Sequence, residues 1–210
     1  MKVLLVNGSP HEKGCTYTAL EEVAKTLNAG GIETEIFQIG IKQLSGCIAC
    51  KNCQKTGHCI VSDRVNEFLD IAGDADGFIF GSPVHYASAG GAITSFMDRA
   101  FYTDLCSGKQ VFYLKPAAAI VSARRAGTTA TFDQLNKYFT LSEMPVISSR
   151  YWNMVHGSTP EDVKKDLEGL QIMRILGRNM AWFLKCKEAG IKAGVPFPER
   201  EERIATNFIR

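Results

Sequence analysis

No apolar run in this 210-residue chain approaches the ~20 residues needed to cross a bilayer. Charge of one sign is also missing. The formal net charge is +2, which excludes the concentrated basic face of a nucleic-acid binder and the acidic surface of a carrier steered onto basic partners. The opening stretch, MKVLLVNGSPHEKG, falls short of a signal peptide, because its apolar run breaks at Asn7-Gly8. An even cysteine count is lacking too: there are seven, which argues against a disulfide framework. A cytoplasmic setting with reduced thiols is the expectation, and clustered cysteines there read as metal ligands or redox groups. Neither G-x-x-x-x-G-K-[ST] nor G-x-G-x-x-G occurs, so a Walker loop and a dinucleotide fingerprint are not supported. No internal repeat and no linker divides the chain.

What is present is an alternation of short apolar runs and amphipathic segments. KVLLVN at 2–7, IETEIFQ at 32–38, GFIFG at 77–81, AAAIVS at 117–122 and PVISSRYW at 145–152 read as strands. The third is expected to stop at Ser82-Pro83, since proline cannot continue a central strand. Helical spacing marks 16–28, 63–72, 88–102 and 129–141. Thr159-Pro160-Glu161-Asp162 marks a further helix start, followed by a stripe of Val163, Leu167, Leu170, Met173, Leu176, Met180 and Leu184 on one long helix. The β-α-β-loop-α-β-α-β-α-β-α pattern predicts an α/β fold with a parallel sheet covered on both faces. One domain over 1–189 is expected, interrupted by a cysteine loop at about 45–62, with 190–210 an extended arm or disordered tail.

In such a sheet ligands bind beyond the carboxyl ends of the strands, where strand order reverses. The first strand is followed by Gly8-Ser9-Pro10-His11-Glu12-Lys13-Gly14-Cys15-Thr16-Tyr17. A helix opening there presents unpaired N–H groups at its positive end, a site for phosphate. Ser9 and Thr16 add hydroxyls, and Lys13 a charge. The third strand is followed by Ser82-Pro83-Val84-His85-Tyr86-Ala87, a rigid, partly apolar ledge suited to a flat ring. The fourth is followed by Ser122-Ala123-Arg124-Arg125-Ala126-Gly127, small residues that allow close approach, with arginines able to meet a phosphate of a second substrate.

The second strand leads into SGCIACKNCQKTGHCIVSD at 45–63, where Cys47, Cys50, Cys53 and Cys59 stand as C-x2-C-x2-C-x5-C. Ferredoxins use the related run C-x2-C-x2-C-x3-C-P. The first three cysteines match in spacing and the fourth does not. A [4Fe–4S] cluster, a zinc ion, whose ligands usually come as two separated pairs, and free thiols are the three alternatives. Lys51, Lys55 and His58 would partly offset thiolate charge, and Cys106 and Cys186 are expected to be small buried hydrophobes.

Taken together, LLVNGSP, FIFGSPVHYAS, F-M-D-R at 96–99 and GCxxCxxCxxTGxC resemble the flavodoxin-like NAD(P)H-dependent FMN reductases, and more narrowly their iron–sulfur flavoprotein branch, over about residues 1–150. The resemblance implies a three-layer flavodoxin-like fold with five parallel strands in the order 2-1-3-4-5 and FMN at the switch point. It implies that Ser9, Lys13, Gly14, Cys15, Thr16 and Tyr17 hold the phosphate. Pro83, Val84, His85 and Tyr86 would then line the isoalloxazine, and Ser122, Ala123, Arg124 and Gly127 its far side. His11 and Cys15 stand where the family commonly has arginine and asparagine, and the usual glycine pair of the fourth loop is absent. No side chain is required for hydride transfer to a flavin, so the catalytic residues stay unknown, with Tyr86 and His85 candidate modulators of an acceptor. Three functions compete: an FMN-dependent NAD(P)H oxidoreductase, an iron–sulfur flavoprotein relaying electrons between a ferredoxin-like donor and FMN, and a non-enzymatic metal- or partner-binding protein on the same fold. The expected partners are a nicotinamide nucleotide and a small electron acceptor or ferredoxin-like protein, with no nucleic acid and no membrane. A homodimer or homotetramer is expected.

Overall fold

A computed structural model describes residues 1–202, 204 and 206. Its elements run β1 (Lys2–Asn7), α1 (Cys15–Ala29), β2 (Glu33–Gln38), α2 (Cys53–Thr56), α3 (Arg64–Ala72), β3 (Gly77–His85), β4 (Ser88–Ala89), α4 (Gly91–Ser107), β5 (Ala117–Ala123), α5 (Thr128–Leu141), β6 (Met154–His156), α6 (Pro160–Lys165) and α7 (Leu167–Lys192). Five strands form a parallel sheet in the order β2-β1-β3-β5-β6, and β4 folds back antiparallel on the end of β3. This is the expected flavodoxin-like order, with β4 as an added hairpin. The sheet explains the sequence pattern of its members. β1 lies between β2 and β3 and is apolar from Val3 to Val6, whereas β2 is an edge and alternates as ETEIFQ.

Two apolar layers fill the two faces. Val65, Phe68, Ile93, Phe96, Met97, Leu135 and Phe139 pack α3, α4 and α5 against one face. Leu20, Val23, Leu27, Val163, Met173 and Leu176 pack α1, α6 and α7 against the other. Phe68 sits among Phe37, Phe78, Phe80, Phe96 and Phe112. Each such buried ring contributes about 1.5–3 kcal/mol relative to exposure. Strand order reverses at β1, which has β2 on one side and β3 on the other, so the carboxyl ends of β1 and β3 border the crevice.

Four expectations need correction. β3 does not stop at Ser82-Pro83 but continues to His85. Pairing with β1 ends at Asn7↔Gly81, so beyond that point β3 has lost one neighbour, and a residue without an N–H is tolerated there. The helix expected from 88 starts at Gly91, because Ser88 and Ala89 pair back onto β3. The last strand is not 145–152. Val146 makes one bridge to Ala117, and the Ile147 N–H donates to the Ala117 carbonyl at 2.8 Å. The chain then detours, Ser149 Oγ bonding Tyr151 O and Asn153 Oδ1, before β6 pairs with β5 at 154–156. The long helix after Thr159 is two helices. Thr159 and Asp162 form the expected capping box, but Asp166 (ψ 77°) leaves the helical conformation, accepts from His156 N and caps α7 through Gly169 N. Leu167 is accordingly exposed rather than part of the buried stripe.

The arm expected at 190–210 is described to Glu202 and at residues 204 and 206, and the rest of that expectation lies outside the described residues. Arg200 of this segment donates to Glu143 Oε1 at 2.8 Å and stacks over Tyr113. Among the described residues no helix is long and apolar enough to cross a membrane.

Candidate functional site

The first strand-end loop is held by its neighbours at almost every step. Gly8 N donates to Gly81 O at 2.9 Å, and a Cβ on Gly8 would stand 2.6 Å from that oxygen and 2.7 Å from Ile93 Cβ. Only glycine permits this approach. Buried Asn7 accepts from Ser9 N and donates to Glu12 O and Gln38 Oε1, while Gln38 Nε2 donates to Ser9 O at 2.7 Å. Ser9 Oγ accepts from His11 N. The loop delivers the chain to Gly14, the N-cap of α1, which supplies no side-chain cap. The first amides of α1 are thus left for another acceptor, at the positive end of a 15-residue helix. This cradle fits a phosphate. Cys15, half-buried, donates to Gly157 O at 3.6 Å. Burial pushes its thiol up, and the charges of Asp162 and Glu161 add to that against the lowering effect of its own backbone amide.

The other two loops close on this one. Thr16 Oγ1 and Ser122 Oγ share a hydrogen bond of 2.8 Å, joining the α1 start to the end of β5. Gly127 has φ 92°, and a Cβ there would lie 2.6 Å from Ala87 Cα and 2.9 Å from Val84 Cγ1, so the β5–α5 loop rests against the β3–β4 turn. Tyr86 and Ala87 both have positive φ (48° and 58°), the left-handed pair a tight hairpin turn needs, and Tyr86 is fully exposed. Ser9, Thr16, Ser122 and Ala123 are buried, Gly14, Cys15, Tyr17, Pro83, Val84 and Gly127 half-buried, and Lys13, His85, Tyr86 and Arg124 exposed. The three loops therefore gather at one end of the sheet, while Lys13, His85, Tyr86 and Arg124 face solvent.

The cysteine loop is organised differently. Residues 45–51 are all exposed, and Ala49 and Lys51 have positive φ (52° and 58°). Ala49 N donates to Cys47 Sγ at 3.4 Å. Cys53 is buried at the start of α2, and Cys59 is half-buried. All four sulfur-bearing residues line one cavity, with Arg99, Tyr102 and Thr103 of α4 forming its wall. As placed, no three His, Cys, Asp or Glu side chains among the described residues group closely enough to hold a metal ion. The donor set itself, four thiols with sulfurs already accepting N–H bonds at Cys47 and Cys59, is of the soft kind that iron–sulfur clusters take. Burial raises the Cys53 thiol, and neighbouring Cys106 raises it further.

Several residues here escaped the sequence reading. Arg99 is 1% exposed and forms a bidentate pair with Asp63. Burial alone would lower its guanidinium, but hydrogen bonds to Asp63 and Cys59 raise it overall. The available signal was an arginine in the buried stripe of Phe96, Met97 and Ala100, a position that requires a partner. Asn7 and Gln38 were read only as strand ends. Cys106 is half-buried beside Cys53, and Cys186 is exposed, so neither is the buried hydrophobe expected.

The family model for NADPH-dependent FMN reductase matches residues 1–159. An iron–sulfur flavoprotein of Methanocaldococcus jannaschii is 32% identical over 191 residues, covering 88% of this chain and 98% of that protein. Among solved structures, RosB with bound 8-demethyl-8-formylriboflavin-5'-phosphate superposes with a TM-score of 0.70 at 15% identity, over 100% of this chain and 92% of that one. A flavodoxin from the domain Archaea superposes with a TM-score of 0.59 at 16% identity, over 88% of this chain and 99% of that one.

Proposed function

The chain belongs to the NADPH-dependent FMN reductase family, in its iron–sulfur flavoprotein branch, and from that premise we propose that it is an FMN-dependent NAD(P)H oxidoreductase. The uncapped N-terminus of α1, enclosed by the β3 and β5 loops, carries this reading. Family and relatives alike support FMN as the cofactor. The first-turn amides of α1, with Ser9, Gly14, Cys15, Thr16 and Tyr17, bind the phosphate, and Lys13 supplies charge from the rim. Pro83 and Val84 form the ledge for the ring, with His85 and Tyr86 beside the acceptor. Ser122, Ala123, Arg124 and Gly127 close the far side. FMN, when bound, would supply the hydride and electron chemistry, and the protein position and fixed dipoles.

The shared cavity of Cys47, Cys50, Cys53 and Cys59 favours a second reading on the same fold. In that reading a [4Fe–4S] cluster on these thiols supplies one-electron transfer, and the protein relays electrons from a ferredoxin-like donor. We take 1–189 as the flavin domain with 190–210 as its arm, a reducing cytoplasmic setting, and a homo-oligomer.

The absorption spectrum and metal content of anaerobically purified protein, followed by steady-state NADH and NADPH oxidation, test both readings. Bound FMN with nicotinamide oxidation is the expected result. A colourless protein that takes up no FMN overturns both. Flavin and iron without nicotinamide oxidation leaves the relay.

A further inference from the structure

Arg99 makes four hydrogen bonds, and all of them go to the last five residues of the cysteine loop, 59–63. Nε donates to Cys59 Sγ at 3.2 Å, Nη1 to Asp63 Oδ2 at 2.6 Å, and Nη2 to Asp63 Oδ1 and Val61 O at 2.9 Å each. A guanidinium this buried persists only when its donors are paired, because an uncompensated buried charge costs several kcal/mol. Here one of the partners is a sulfur. Asp63 also accepts from Val65 N as the cap of α3, so the pair joins α3 to α4. The backbone of Cys59 is held as firmly. Its N–H donates to Asn66 Oδ1, and its carbonyl accepts from Asn66 Nδ2, each at 2.9 Å.

Cys59 is thus fixed by its amide, its carbonyl and its sulfur, while Cys47 and Cys50 are exposed. This accounts for the odd spacing before the fourth cysteine. A thiol held by two helices needs no tandem turn to bring it to the other three. We propose that Arg99 is a positioning residue of the cysteine centre: it fixes Cys59 as the preset thiol on which Cys47, Cys50 and Cys53 close, and it raises the reduction potential of an iron–sulfur cluster held there. The second half follows because an N–H bond from a cation to a ligating sulfur favours the more electron-rich, reduced state. The proposal rests on the cluster reading given above.

The test compares wild type, Arg99→Lys and Arg99→Gln after anaerobic reconstitution with iron and sulfide. Iron and sulfide per chain are measured, the cluster midpoint potential is followed by EPR, and circular dichroism monitors the fold. Arg99→Lys, which keeps the charge but loses the fork, is expected to take up iron and show a more negative cluster potential. Arg99→Gln is expected to retain at least about tenfold less iron after desalting, in line with the 10–100-fold cost typical of losing an outer-shell partner. Wild-type iron content and potential in both variants overturn the proposal. A wild-type chain that binds FMN but no iron overturns the cluster reading, and this proposal with it. Should both variants fail to fold, wild-type protein grown on 15N-arginine decides: pulsed EPR of the reduced cluster is expected to show coupling to an arginine nitrogen, and its absence overturns the assignment.

Discussion

Two loops leave the carboxyl ends of neighbouring strands, β1 and β2, and they are held in opposite ways. The first is tied to β2 through Gln38, to β3 through Gly81 and to β5 through Ser122, and its Ser9 and Thr16 are buried. The second leaves buried Ile39 and half-buried Leu44, is exposed from 45 to 51, and is anchored again by Cys53 in α2 and by the Arg99 and Asn66 contacts of Cys59. The difference matches what the two proposed ligands would require. Backbone amides bind a phosphate weakly one by one, so they must be aligned beforehand. Thiolates bring strong metal bonds of their own, and binding energy can close the loop that carries them.

The contrast breaks most sharply at Cys50→Ser. This change is expected to abolish cluster iron while leaving FMN per chain at the wild-type value, read by metal analysis and flavin absorbance. Loss of FMN together with iron would show that the two loops form one site.

A glycine pair tests the same contrast by packing. Gly8→Ala places a Cβ 2.6 Å from Gly81 O, while a Cβ on Gly46 meets nothing within 4 Å. Gly8→Ala is expected to cost about 1–3 kcal/mol of stability and to weaken FMN binding, and Gly46→Ala to stay within about 0.5 kcal/mol. Denaturant titration of both variants measures this, and equal costs would erase the distinction.

Thr16→Val removes the Thr16–Ser122 bond and leaves a buried serine hydroxyl without it. A loss of about 1 kcal/mol is expected, with weaker FMN retention and unchanged iron, measured by denaturation and by flavin titration of the apoprotein.

The smallest effect lies inside the cysteine loop. Burial and then Cys106 raise the Cys53 thiol, so in iron-free protein Cys53 should alkylate more slowly than exposed Cys47 and Cys50 at pH 8. The gap should narrow as pH rises. The sign for stability follows from the same shift. A thiol raised in the fold stabilises it fully below the unfolded thiol's range, and that contribution is lost as pH rises through the folded one. Mass spectrometry of alkylated peptides measures the order, and equal rates at pH 8 would remove Cys53 from the protected set.

Much of this was legible in the residues. The runs at 2–7, 77–81 and 117–122 became central strands, because runs apolar on both faces have few places other than the middle of a covered sheet. The strand-end loops followed from Gly8-Ser9-Pro10, Ser82-Pro83 and Ser122-Ala123, where small residues and proline interrupt pairing. The sixth strand was not legible. The residues at 145–152 look like a strand, but a Ser149 side chain satisfies backbone and Asn153 groups and lifts Tyr151 and Trp152 out of the sheet. Asp166 likewise divides a helix whose apolar stripe reads as continuous, because its carboxylate caps Gly169 and holds His156 at once.

The order of apolar and polar residues by itself determined the layers, the parallel sheet and the end of it where the strand-end loops gather, since burial and backbone pairing depend on local pattern. Cysteine spacing alone determined that soft ligands cluster after β2. The tertiary structure alone decided which thiol is held and by what. Arg99 lies 40 residues beyond Cys59, and a contact across that separation exists only once α3 and α4 pack on the same face of the sheet.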